Sequence, residues 1–97
     1  MAVNQTSTIT TTGTWSSQAD AIANIASTGG NPPVLSFIED KVANGDLTQT
    51  LSFNGTNKLT MERVWTDEAW AEYLNQETGQ AALEAEGWTI AETNDAP

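Results

Sequence analysis

A chain of 97 residues with 13 acidic side chains, 3 basic ones and a net charge of −10 is long enough for one modest core and too short for two. It has no cysteine and no histidine, which excludes disulfides and thiol nucleophiles and removes the commonest general base and metal ligand. The charge also disfavours nucleic acid and anionic membranes as partners, since either would repel this surface.

One domain over residues 1–97 is expected, with no catalytic, cofactor or metal set. The opening Met1-Ala2-Val3-Asn4-Gln5-Thr6 has neither the basic patch nor the apolar stretch of a signal peptide. No apolar run reaches the roughly 20 residues of a membrane span. A disulfide-free domain of this size fits an intracellular or capsid-bound life. The acids are uneven: from residue 61 onward nine stand against Arg63 alone.

In chain order, threonine-rich residues 6–14 predict a strand. Ser16 or Ser17 caps a helix over 18–26, with Ala19, Ile22, Ala23 and Ala26 as its apolar stripe. Gly29-Gly30 stops it. Pro33 suits the first turn of a second helix whose Leu35, Ile38 and Val42 share a face, and Asn44-Gly45 ends it. Two strands then lie between Leu47 and Trp65. Thr66 caps a third helix, with Asp67 and Glu68 at the positive end of its dipole and Trp70, Tyr73 and Leu74 on its buried side. Gly79 breaks that helix, residues 80–86 add a turn or two, and residues 88–92 close the fold as a strand.

The hairpin can be read in register. Leu47, Leu51 and Phe53 alternate onto one face, as do Leu59, Met61 and Trp65. A two-residue Asn54-Gly55 turn would put those sets on opposite faces, so the loop should hold an odd number of residues. A five-residue loop over 54–58 pairs Phe53 with Leu59, Leu51 with Met61, Gln49 with Arg63 and Leu47 with Trp65; a three-residue loop with a bulge at Gly55 competes. Thr48, Thr50, Ser52, Thr60, Glu62 and Val64 then face water.

Sliding the sequence against itself by fifty positions lays Ile9–Ala21 over Leu59–Ala71, matching Trp15 to Trp65, a Ser/Thr cap to a Thr cap, and a helix start to a helix start. The first copy carries extra residues, placed around Gly29-Gly30-Asn31-Pro32-Pro33. Pseudo-repeats over 6–53 and 57–93 give an α+β fold of the ferredoxin-like kind: a duplicated βαβ unit, a four-stranded antiparallel sheet and helices on one face.

Few residues offer chemistry. Glu68 and Glu72 stand four apart on one helix face, with Glu84 and Glu86 nearby, and a solvated face explains them better than an acid–base couple or a calcium site. Arg63 is out of place, pointing inward between Met61 and Trp65. It should stack on tryptophan or reach the sheet edge, and the competing role is contact with a bound anion in a small cleft. Trp15 and Trp65 read as core, whereas Trp70 and Trp88 fit either core or a subunit interface.

The segment Arg63-Val64-Trp65-Thr66-Asp67-Glu68-Ala69-Trp70-Ala71-Glu72-Tyr73 resembles small accessory proteins of tailed bacteriophages, marine ones especially. These carry a strand ending in Arg-x-Trp, a cap, and a helix with alanines and aromatics; the resemblance covers about a third of the chain. It implies an accessory role and no particular activity. The expected function is thus a non-catalytic structural or protein-interaction protein, virion-borne or self-associating, with no small-molecule substrate evident. The alternative is an acidic host-directed inhibitor that mimics nucleic acid for a basic target.

Overall fold

A computed structural model describes residues 2–29 and 32–97. Its elements run β1 (Val3–Thr10), α1 (Gln18–Gly29), α2 (Pro32–Ala43), β2 (Leu47–Phe53), β3 (Lys58–Trp65), α3 (Asp67–Tyr73), α4 (Gln80–Ala85) and β4 (Thr89–Asn94). The four strands form one open sheet in the order β2-β3-β1-β4, and every neighbouring pair is antiparallel. The protein is α+β, with four helices lying against one face of that sheet.

Side chains alternate across a strand, and the inward face of the sheet divides into four ranks. Leu47, Trp65 and Val3 form the first, and Gln49, Arg63 and Gln5 the second. Leu51, Met61 and Ser7 form the third, with Phe53, Leu59 and Ile9 as the fourth. The outer ranks seed two apolar clusters. Val3, Leu47 and Trp65 pack with Ala69 and Trp70 of α3, while Ile9 and Leu59 pack with Trp15, Ala21 and Leu83. Between them runs a buried polar belt of Gln5, Ser7 and Arg63. The opposite face, with Thr48, Thr50, Ser52, Glu62 and Val64, is exposed.

The β2–β3 register is the one the alternation demands: Phe53 opposite Leu59, Leu51 opposite Met61, Gln49 opposite Arg63 and Leu47 opposite Trp65. Asn54 organises the loop. Its Oδ1 accepts from the amides of Thr56, Asn57 and Lys58 at 2.9–3.0 Å, and Gly55 supplies a φ of +88°. Lys58 already pairs with Thr10 of β1, so it counts as the first residue of β3.

Four expectations need correction. The first strand spans Val3–Thr10 instead of 6–14, because Thr11 N and Trp15 N leave the sheet to donate to Asn57 O (3.0 Å) and Thr56 O (2.7 Å) of the hairpin loop. The phase of α1 is shifted: Ala21 and Ile25 face inward, and Ala19, Ile22 and Ala23 face out. In α2 the inward residues are Val34, Phe37 and Ile38, leaving Leu35 and Val42 exposed. Phe37 decides that phase by stacking on Trp65 with ring centroids 6.2 Å apart. Finally, α3 ends at Tyr73, so Leu74 becomes its exposed C-cap.

Thr66 caps α3 as its sequence requires, accepting from Ala69 N at 3.2 Å, and Ser17 accepts from Asp20 N at 3.1 Å at the start of α1. Gly79, expected to break α3, lies six residues beyond its end and is the N-cap of α4 instead, in a tight backbone contact. A Cβ on it would stand 2.9 Å from Gly29 Cα and O, so two backbones meet there with no room for a side chain. Gly30 and Asn31, where the first copy's extra residues were placed, lie outside the described residues.

Candidate functional site

The polar belt opens into a cavity of about 330 Å³ between the sheet and the helices, at the lower end of the roughly 300–1,000 Å³ seen for small-molecule pockets. Its floor is Ser7 and Ile9 of β1, Met61 and Arg63 of β3, and Ile90 and Glu92 of β4. Ile25, Val34, Ile38 and Leu83 form its apolar walls, and Leu35 and Leu74 stand at its rim. The Gly29–Gly79 contact closes one side.

Arg63 is the buried charged group of this floor, with only 8% of its surface exposed. Its Nε donates to Gln49 Oε1 at 2.7 Å and its Nη2 rests 3.3 Å from Met61 Sδ. The guanidinium therefore stays under the helices, held by a neighbouring glutamine, where tryptophan stacking or escape to the sheet edge was expected. Among the described residues it forms no ion pair. Burial pushes its pKa down from the ordinary arginine range, opposed by Tyr73 and Glu92. None of its nitrogens is both buried and unpaired, and its side chain lines the cavity.

Gln5 links the belt to the upper cluster and to β4. Its Oε1 accepts from Trp65 Nε1 at 2.9 Å and its Nε2 donates to Glu92 Oε1 at 2.7 Å. Glu92 is thus oriented through one oxygen while its side chain borders the cavity on the far side of Ser7 from Arg63.

The other candidate residues lie elsewhere. Trp70 is buried against Val3, Leu47 and Trp65, which makes it core. Trp88 is half-buried and meets Trp15 edge-on at 5.6 Å. Glu68 and Glu72 are exposed on α3, and Glu72 pairs with Lys41, whose ammonium also stands 5.4 Å over the Phe37 ring. A shallower hollow surrounds that pair, lined by Asp40, Asn44 and Asn75. Among the described residues, no three acidic side chains gather as a metal cage, and no helix is long and apolar enough to cross a membrane.

Inward placement of Arg63 opposite Gln49 was readable from the strand alternation. Ser7, Glu92 and the helical walls were not, because β1 sends polar residues inward and gives no apolar period to follow. Comparison of the chain with protein-family models, curated proteins and solved structures returns no match.

Proposed function

We propose that this chain is a non-catalytic structural or protein-interaction protein, borne as an accessory on a phage particle and built on a ferredoxin-like scaffold. The observation that carries the interaction role is the outer side of the helical layer. Ile22, Leu35, Val42 and Leu74 are all exposed there, Leu74 at 64%, although the periodicity of their helices would bury them. A partner protein that covers this side would satisfy the second apolar stripe. The exposed acids Glu68 and Glu72 beside it favour a partner whose rim is basic. The charge of −10 turns nucleic acid and anionic membranes away.

The β2-β3-β1-β4 order, with a helix pair in each crossover, supports the ferredoxin-like reading. Duplication draws support from Trp15 and Trp65, both buried beside a capped helix start. The copies have diverged: Trp65 sits in the ladder and bonds Gln5, whereas Trp15 sits in a loop and donates to Asn24 Oδ1 at 3.2 Å. The phage setting rests on the resemblance of residues 63–73.

Light scattering on the purified chain, followed by proteomics of purified particles, tests this reading. Recovery of the chain at fixed stoichiometry in particles is the expected result, and its absence from them would remove the virion role. The acidic-mimic alternative requires salt-labile capture of a nucleic-acid enzyme instead.

A further inference from the structure

Two side chains of the cavity floor have opposite charge. Arg63 lies on β3 opposite Gln5 of β1, and Glu92 lies on β4 opposite Ser7, the next inward residue of β1. Each is held through part of its head group, buried Arg63 through Nε to Gln49 and exposed Glu92 through Oε1 to Gln5, and neither Nη1 nor Oε2 has a hydrogen-bond partner among the described residues. Buried charges are retained at a cost unless something pairs them, and Arg63 has no carboxylate within ion-pair distance among the described residues. The helices add hydrocarbon from Ile25, Val34, Ile38 and Leu83, beside the polar Gln76, Thr78 and Gln80.

We propose that this cavity binds a small zwitterion with a branched apolar body, an apolar α-amino acid in chemical class. Its carboxylate pairs with Arg63, its ammonium with Glu92, and its side chain lies among the isoleucines and Leu83. The charge pattern selects this class over its neighbours. A plain anion would gain Arg63 but meet Glu92 and a chain of net charge −10. A plain amine would gain Glu92 but place its charge against a buried guanidinium. A zwitterion carries no net charge, satisfies both groups and replaces water on both. The site is separate from the interaction reading, which concerns the outer side of the helices; only Leu35 and Leu74 at the rim belong to both.

The test is an amide-resolved NMR titration of the full chain with L-leucine, glycine, 4-methylpentanoate and 3-methylbutylamine. Leucine should give saturable shifts at residues 25–29, 34–38, 61–63 and 90–92. Glycine lacks the apolar body, 4-methylpentanoate the ammonium and 3-methylbutylamine the carboxylate, and each should bind at least tenfold more weakly. Arg63→Gln should abolish leucine binding. Glu92→Gln keeps the acceptor for Gln5 on an exposed strand, so it should fold as the parent does, and it should erase the preference for leucine over 4-methylpentanoate. No saturable response to leucine would overturn the proposal. So would 4-methylpentanoate binding as tightly as leucine to the parent chain, or an unchanged preference in Glu92→Gln, which remains decisive if Arg63→Gln fails to fold.

Discussion

The indole N–H of Trp65 donates to Oε1 of Gln5 at 2.9 Å across the two central strands, and both side chains are essentially sealed from solvent. The bond joins the larger aromatic cluster, in which Trp65 touches Phe37, Trp70 and Tyr73, to the polar belt. Gln5→Leu leaves the indole N–H without a partner and releases Glu92. It should destabilise the fold by about 1–3 kcal/mol, the usual cost of a buried polar group left unpaired. Urea unfolding followed by tryptophan fluorescence measures this. Because the two residues share one bond, Gln5→Leu and Trp65→Phe should be non-additive by about 1 kcal/mol in a double-mutant cycle.

The hairpin loop depends on one side chain. Asn54 Oδ1 accepts three consecutive amides, and Asn54 Nδ2 donates to Asn57 Oδ1 at 3.0 Å. Asn54→Ala should cost about 1 kcal/mol, because the freed amides can turn to water. Asn54→Asp keeps the acceptor and should lose less. Denaturant midpoints at constant slope separate the two.

The backbone contact of Gly79 with Gly29 is a test of close packing beside the cavity. Gly79→Ala introduces a Cβ 2.9 Å from backbone atoms that cannot rotate away. A loss of about 1–3 kcal/mol is expected, as for other overpacked sites. Gly13→Ala, where a Cβ meets nothing, is the control.

Asp95 ties the chain end to β1. Its Oδ1 accepts from Asn4 N and its Oδ2 from Asn4 Nδ2, both at 2.7 Å, and those two bonds hold its pKa below the ordinary value of 3.8. A depressed carboxylate stabilises the fold while ionised, so its contribution is present above about pH 4 and disappears as the pH falls through the lower folded-state value. The stability difference between the parent and Asp95→Asn should therefore be largest above pH 4 and shrink toward pH 2. Urea titrations across that range read it directly.

How much of this was legible in the sequence depended on side-chain asymmetry. The β2–β3 register was readable as the first of two alternatives, because leucine, phenylalanine, methionine and tryptophan recur at alternate positions and a one-residue slip would expose them. Thr66 was readable as a cap from local chemistry alone. The helices were harder. In α1 small alanines dominate, and a shift of one residue changes little apolar area, so the inward face was set by contacts of Ala21 and Ile25 with other elements. In α2 two apolar stripes share Ile38, and the stacking of Phe37 on Trp65 chose between them. On β1, Gln5 and Ser7 face inward between Val3 and Ile9, so no apolar alternation marked its first half and the strand was placed too late. The cavity went unseen for a related reason: its floor mixes polar with apolar residues, and its walls come from three separate helices.

The interaction role can be tested with a probe that the sequence leaves free. The chain has no cysteine, so a single one at Asn75, beside Leu74 on the helical side, or at Thr50 on the open sheet face, reports its own surroundings. Both positions are exposed. Thiol labelling of each variant, as the free chain and within purified particles, measures which face is covered. Strong protection at residue 75 with residue 50 still reactive is the result predicted here. Protection at residue 50 with residue 75 open, or labelling of both positions at the free-chain rate in particles, would contradict an interaction through the helical layer.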